Sequence, residues 1–299
     1  MVTGISVAPA TLSAAAPAKL NLFLHVTGRR TDGYHLLQSV FVLLDVWDTL
    51  HFSLRADGAI HRQSDLPGVR ECDDLVVHAA KLLKREAESI AAPDACGVDI
   101  SVDKKLPMGA GVGGGSSDAA TTLLALNQLW NLGFSNDKLR ALGLTLGADV
   151  PFFLYGRSAF VAGVGEQLLP VELPCWWYLV LTPPVHVPTQ AVFAHPELTR
   201  DTIPLRISDF SANGLGDTRN DLQAVVLKTF PAVSRYLQAL QSVSQKSVFG
   251  ARMTGSGACV FAAFASGQDA RGALDLLQPE YKGFVAQGLS RHPLFDSAR

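Results

Sequence analysis

From Leu106 to Thr122 the chain reads LPMGAGVGGGSSDAATT, and this run dictates what must surround it. Gly109, Gly111, Gly113, Gly114 and Gly115 leave the backbone bare, so main-chain N–H groups can converge on an anion. Ser116 and Ser117 then open a helix, whose first N–H groups lack internal partners and carry partial positive charge. A loop–helix junction of this kind is a phosphate site.

The flanks are ordered. Val98, Ile100 and Val102 alternate with polar neighbours, as in a half-buried strand. Beyond the loop, Ala119, Leu123, Leu126 and Trp130 recur at helical spacing, with Ala120 and Leu124 widening the stripe. A loop clamped between packed elements is preorganised for phosphate oxygens, and a free linker is not.

Two familiar phosphate loops fit poorly. Gly109, Gly111 and Gly114 satisfy G-x-G-x-x-G, but a dinucleotide fold then needs an acidic residue ending a second strand roughly twenty residues on. That region here is ALNQLWNLGF, a helix end and a loop. A Walker A loop needs a lysine before its Ser/Thr, and Gly115-Ser116-Ser117 has none.

At 299 residues and 48% apolar composition, the chain can build one very large domain or two ordinary ones. A net charge of −2 gives no general attraction to nucleic acid or to an anionic membrane. Lys104-Lys105 is a local exception, either a solvated strand end or a pair meeting phosphates. Cys72, Cys96, Cys175 and Cys259 are widely spaced, which argues against structural zinc and a disulfide scaffold and fits a reducing cytoplasm. No apolar run approaches the ~20 residues of a membrane helix. Met1 to Ala16, small and Ala-rich without Lys or Arg, reads as a loose N-terminal extension rather than a secretory signal.

The pattern predicts a strand over Ala18 to Val26, with Leu20, Leu22, Leu24 and Val26 on one face and Lys19, Asn21, Phe23 and His25 on the other. After the turn Thr31-Asp32-Gly33, strands are expected over Tyr34 to Leu44 and Asp48 to Arg55. Asp73 is expected to cap a helix, and another runs from Asp137 to Leu146 until Asp149-Val150-Pro151 ends it. A strand near Ser158 to Ala162 closes the first half. From Pro170 the pattern is a strand (Trp176 to Leu181), two helices broken at Pro231, a hairpin joined by Thr254-Gly255-Ser256-Gly257, a helix and a last strand. That order matches a ferredoxin-like split βαβ unit.

Five segments in order carry a family resemblance: PAKLNLFLHV from Pro17, DGYH from Asp32, LPMGAGVGGGSSDAA from Leu106, LGADVPFFL from Leu146 and TGSGACVF from Thr254. Pro107, Gly111, Val112, Gly113, Ser116, Ser117 and Ala119 fit, with extra glycines, the second motif of the galactokinase, homoserine kinase and mevalonate kinase superfamily (the GHMP kinases). More closely, the chain resembles the diphosphocytidyl methylerythritol kinases from about Ala16 to Leu294. The resemblance implies an α+β, two-domain GHMP kinase fold. Its parts would be a mixed βα ATP-binding domain over 17–165 and a ferredoxin-like domain over 166–299, after an extension over 1–16.

The implied reaction moves the γ-phosphoryl group of ATP to a tertiary hydroxyl of a cytidyl substrate. Family matching makes Asp149 the base and Lys19 the cation beside it. The ATP-binding residues would be Pro107, Met108, Gly109, Ala110, Gly111, Val112, Gly113, Gly114, Gly115, Ser116 and Ser117, with Lys105 and Asp74. Asp74 departs from the family's common asparagine, and an ionised aspartate accepts but cannot donate. Tyr34 and Phe193 match the pair that sandwiches the cytosine, His35 its hydrogen-bonding neighbour, and Asn21 and Thr189 further substrate contacts. Gly255, Ser256 and Gly257 form a third glycine motif, at least a tight hairpin and otherwise a support for the phosphate pocket. Mg²⁺ is expected with ATP, without an assigned protein ligand set, although Ser117 is a candidate. The implied partners are ATP and the small cytidyl substrate, with no nucleic acid and no membrane, in a monomer or weak homodimer. Two alternatives stay open: a mevalonate- or homoserine-type kinase, and a non-catalytic nucleotide-binding protein on the same fold. DGYH and Phe193 weigh against the first, and Lys19 with Asp149 against the second.

Overall fold

A computed structural model describes residues 10–89, 96–207 and 212–296. The first half runs β1 (Thr11–Arg29), β2 (His35–Arg55), β3 (Ile60–Arg62), α1 (Leu75–Glu88), β4 (Gly97–Asp103), α2 (Gly114–Leu129), α3 (Asn136–Leu146), α4 (Val150–Tyr155), β5 (Ala159–Gly163) and β6 (Gln167–Pro170). The second half runs β7 (Trp177–Leu181), α5 (Thr189–Ala194), α6 (Gln223–Thr229), α7 (Pro231–Val243), β8 (Ser247–Met253), β9 (Val260–Phe264), α8 (Gly267–Asp275), β10 (Gly283–Leu289) and α9 (Pro293–Asp296).

β1 and β2 form one long antiparallel hairpin, and the two strands expected before Arg55 are a single 21-residue strand. Part of the expected N-terminal extension is therefore strand. Thr11 to Ala16 pair with Ser53 to Asp48, and Ala14 and Ala16 are buried. Their methyl groups are small enough to lie in the first core, so an alanine run that reads as loose is a packing choice. Residues 1–9 of that extension lie outside the described residues.

The register of β1 shifts between Pro17 and Lys19, between Asn21 and Leu24, and between Val26 and Gly28. A shift of one residue swaps faces. Phe23 accordingly joins Leu20 and Leu22 in one cluster, whereas Leu24 and Val26 belong to another, and strict alternation does not hold.

In the second half the sheet order is β10-β7-β9-β8, with every neighbouring pair antiparallel. In order of appearance these are the fourth, first, third and second strands, the arrangement of a ferredoxin-like unit. The far edge of β2 is shared in turn by β5 (at Leu37–Phe41), β10 (at Leu43–Leu44) and β4 (at Thr49–Arg55). β10 thus ties the second sheet into the first. One core lies under α1 to α4, a second under α6 to α8, and a third, built from β1, β2, β7 and β9, lies between them.

Two helix starts differ from expectation. Asp74, not Asp73, caps α1: its Oδ1 accepts from Val76 N at 2.9 Å, whereas Asp73 pairs with Arg70. Pro151 opens α4 as well as following the end of α3, because proline loses nothing in a first helical turn. Asp149 sits at the cap position of α4 without capping it, which leaves its carboxylate free for other partners.

Candidate active site

Lys19 lies on the buried stretch of β1 and Asp149 on the turn between α3 and α4. Lys19 Nζ is 3.1 Å from Asp149 Oδ2. The ammonium is nearly fully buried while the carboxylate is one-third exposed, so the pair opens to solvent on the carboxylate side. Lys19 Nζ also donates to Asn21 Oδ1 at 2.6 Å and lies 4.7 Å from the centre of the Phe41 ring. The Lys19 main chain donates to Val112 O at 2.9 Å, so the strand bearing the cation is stitched to the glycine loop.

The loop is held by close approach as well as by hydrogen bonds. Gly113 has φ 76°, and a Cβ there would stand 3.0 Å from Lys19 Cε and 2.9 Å from Phe153 Cζ. Gly111, at φ 82°, would strike Thr254 O at 2.6 Å. Both positions combine a left-handed backbone with no room for a side chain. Cys259 N donates to Ala110 O at 3.0 Å, so the Thr254 glycine motif packs directly on the glycine loop. α2 begins at Gly114, earlier than the expected start at Ser116, because Gly113 adopts the cap position.

Around this junction lies a cleft of about 600 Å³ between the two halves. The first half contributes Lys19, Asn21, Asp74, Asp149 and the glycine loop, and the second contributes His186, Thr189, Phe193, Gly255 and Ser256. Thr189 and Ser256, both lining the second half's side, have their hydroxyls 2.7 Å apart. His35 lies against Phe193, with ring centroids 5.0 Å apart. Phe193 lines the cleft, whereas neither His35 nor Tyr34, which is 65% exposed, is among its lining residues.

Several expected residues take other places. Lys104, rather than Lys105, lines the cleft. Neighbouring residues leaving a strand point to opposite sides. Lys105 is exposed and contributes its main-chain N–H, which Asp48 Oδ1 accepts at 2.6 Å. Val112, Ser117 and Gly257 lie behind the cleft surface, and Ser117 is fully buried with its hydroxyl unpartnered. Asp74 faces the cleft, but Val76 N occupies one of its oxygens and Arg62 Nη1, at 2.9 Å, the other. An asparagine there would lose that ion pair. That ion pair ties Asp74 to Arg62 at the end of β3.

Other side chains of the site carried no usable sequence signal. Asp48, wholly buried inside β2, accepts from Lys105 N and Leu106 N and pairs with Lys104. Lys104 also donates to Asp118 Oδ2 at 2.7 Å. Burial pushes the Asp118 carboxyl up to about 7, against the pull of Lys104 and with Asp48 adding to the rise. Asn220 donates to both Met253 O and Gly255 O and so fixes the third glycine motif. Among the described residues no group of three His, Cys, Asp or Glu side chains could hold a metal ion.

The family models for the GHMP kinase N-terminal and C-terminal domains match residues 74–157 and 203–281. A Thiobacillus denitrificans protein named 4-diphosphocytidyl-2-C-methyl-D-erythritol kinase is 58% identical over 281 residues, which cover 94% of this chain and 96% of that one. This chain belongs to that kinase family. A Nitrosospira multiformis member of the family is 56% identical, covering 97% of this chain and 95% of its own. A crystal structure titled 4-(cytidine 5'-diphospho)-2C-methyl-D-erythritol kinase superposes with a TM-score of 0.77 at 35% identity, covering 93% of this chain and 99% of that one. The homoserine kinase of Cytophaga hutchinsonii shares the fold at 17% identity, with a TM-score of 0.65 over 94% of this chain and 95% of its own.

Proposed function

We propose that this chain is an ATP-dependent kinase that phosphorylates the C2 hydroxyl of 4-diphosphocytidyl-2-C-methyl-D-erythritol in the non-mevalonate isoprenoid pathway. The observation that carries the reading is the Lys19–Asp149 pair, 3.1 Å apart, in the same cleft as a bare glycine loop. Residues of both family domains line that cleft, as transfer between two bound substrates requires.

ATP supplies the phosphoryl group and the electrophilic phosphorus. The chain supplies position and charge, which suffices because phosphoryl transfer passes through a loose transition state. Main-chain N–H groups from Gly109 to Ser116, together with the start of α2, receive the phosphates. Asp149 accepts the hydroxyl proton as the new P–O bond forms. Lys19 holds Asp149 in place and offsets the negative charge that builds at transfer. Asn21 orients Lys19 through its Oδ1 and is itself fixed by its main-chain bond to Thr254 Oγ1.

For the cytidyl end, Phe193 offers its ring as a stacking face, with His35 beside it to read the base edge. Tyr34, exposed in this structure, would complete the sandwich only once substrate is bound. Thr189 and Ser256 are hydroxyl donors for the diphosphate and sugar portion. Mg²⁺ fits as an ion carried in on the ATP phosphates, because the acidic side chains at the loop, Asp48 and Asp118, are already engaged by Lys104.

We assign the half from β1 to β6 to ATP binding and the half from β7 onward to the ferredoxin-like part, with the cleft where they meet. The cysteines of the described residues are all free, in keeping with a cytoplasmic enzyme. A coupled ADP-release assay with ATP and the cytidyl substrate tests the reading. Preferential phosphorylation of mevalonate or homoserine would overturn it.

A further inference from the structure

Arg200 follows α5, outside every glycine motif, yet four hydrogen bonds converge on its guanidinium. Nη2 donates to Phe193 O at 2.8 Å and to His195 O at 2.9 Å, and Nη1 donates to Leu198 O at 3.0 Å. Nε donates to His35 Nε2 at 3.1 Å. One half-buried side chain thus fastens the segment bearing Phe193 and, with the same planar fork, grips the imidazole packed against that ring.

The last of these bonds has a chemical consequence. A guanidinium keeps its protons at any pH a protein survives, so Arg200 Nε–H can only donate. His35 Nε2 must then be the bare, accepting nitrogen. In the neutral ring the single proton therefore resides on Nδ1, and no described hydrogen bond engages that nitrogen. The charged groups facing the ring are Arg200 and, from the end of β1, Arg29. Burial first, then these two cations, hold the His35 pKa below its ordinary value.

We propose that Arg200 is a positioning residue that fixes His35 as a neutral Nδ1–H tautomer, making it a one-way hydrogen-bond donor toward the substrate's base. The proposal rests on the reading of His35 as the residue beside the cytidyl ring. Cytosine presents acceptors at N3 and O2, whereas uracil carries a hydrogen on N3. At N3, an imidazole locked as a donor therefore matches the acceptor of the first base and meets a second donor in the other. A ring free to change tautomer, or to become an imidazolium, would discriminate less.

The test begins on the unmodified protein without substrate. Long-range ¹H–¹⁵N spectra of ¹⁵N-histidine-labelled enzyme, with His35 assigned by its absence in His35→Asn, should show a protonated Nδ1 and a bare Nε2 at neutral pH. In Arg200→Gln the ring should shift toward the Nε2–H form and titrate at higher pH. The KM for the cytidyl substrate should rise about tenfold, the scale of one lost hydrogen bond, while the KM for ATP stays unchanged. A wild-type ring protonated on Nε2 would overturn the inference, whatever the enzyme phosphorylates. So would an Arg200→Gln enzyme whose His35 tautomer and titration match the wild type. The spectra need no turnover, so an Nδ1–H ring in an enzyme that ignores the cytidyl substrate would sink the substrate assignment and leave the Arg200–His35 coupling standing.

Discussion

Lys19 Nζ reaches both Asp149 Oδ2, at 3.1 Å, and Asn21 Oδ1, at 2.6 Å, so one ammonium links the proposed base to the strand that carries the cation. Asp149→Asn keeps the shape and removes the charge and the basicity. Its turnover should fall by about 10²–10⁴, the range for loss of a general base. Nucleotide affinity, measured by calorimetry, should change little, because the glycine loop does not depend on that carboxylate. Wild-type turnover in Asp149→Asn would remove the assignment.

Gly111→Ala tests the packing of the two glycine motifs. The new Cβ would meet Thr254 O at 2.6 Å from a left-handed backbone, so steric and conformational strain add. A loss of about 1–3 kcal/mol in urea unfolding is expected, together with weakened ATP binding. Gly133→Ala is a control of similar φ, 66°, with open space around the added methyl. It should cost less stability and spare ATP.

Phe193→Ala removes the aromatic face at the cytidyl end. The KM for the cytidyl substrate should rise by roughly 5–150-fold, corresponding to about 1–3 kcal/mol of lost stacking, with the KM for ATP unchanged. Equal effects on both substrates in steady-state kinetics would place the ring elsewhere in the mechanism.

Two buried groups should give the stability curve opposing slopes. Asp118 is raised to about 7 in the fold, so the folded chain holds a proton that the unfolded chain has released above about pH 4. Its contribution is fully present at low pH and is lost as pH rises toward 7, by about 1.4 kcal/mol per pH unit for one proton. His292, wholly buried under α2, is lowered to about 4 by burial. Its contribution is present above about pH 6.5 and is lost as pH falls through 4. In chemical unfolding between about pH 4.5 and 7.5, where both groups act, the difference between Asp118→Asn and wild type isolates Asp118, and the variant should gain stability relative to wild type as pH rises. A difference flat across that range would refute the coupling.

Much of the architecture was legible in the sequence because period and punctuation act locally. The glycine loop, its strand, its helix, the break at Pro231 and the hairpin at Thr254 follow from patterns a few residues long. Lys19 and Asp149 were legible only through family resemblance, since a lysine on a strand and an aspartate before a proline mean little alone. What stayed hidden depends on contacts between distant segments. Asp48 interrupts a strand for no local reason and becomes intelligible only when Lys104 and the N–H groups of Lys105 and Leu106 meet it. Asn220 and Arg200 sit in stretches without periodicity, and their roles exist only through distant partners that the fold brings to them. The alanines of β1 misled because composition reports flexibility and says nothing of how narrow a space a small side chain can fill.

The weave along β2 bears on how reactants come and go. With β10 seated between β5 and β4 on one continuous ladder, the two walls of the cleft are parts of the same fabric rather than jaws on a pivot. Spreading them would unzip main-chain pairing at Leu43 and Leu44. Reactants therefore come and go with that pairing in place, past the half-exposed side chain of Met108 on the cleft lining.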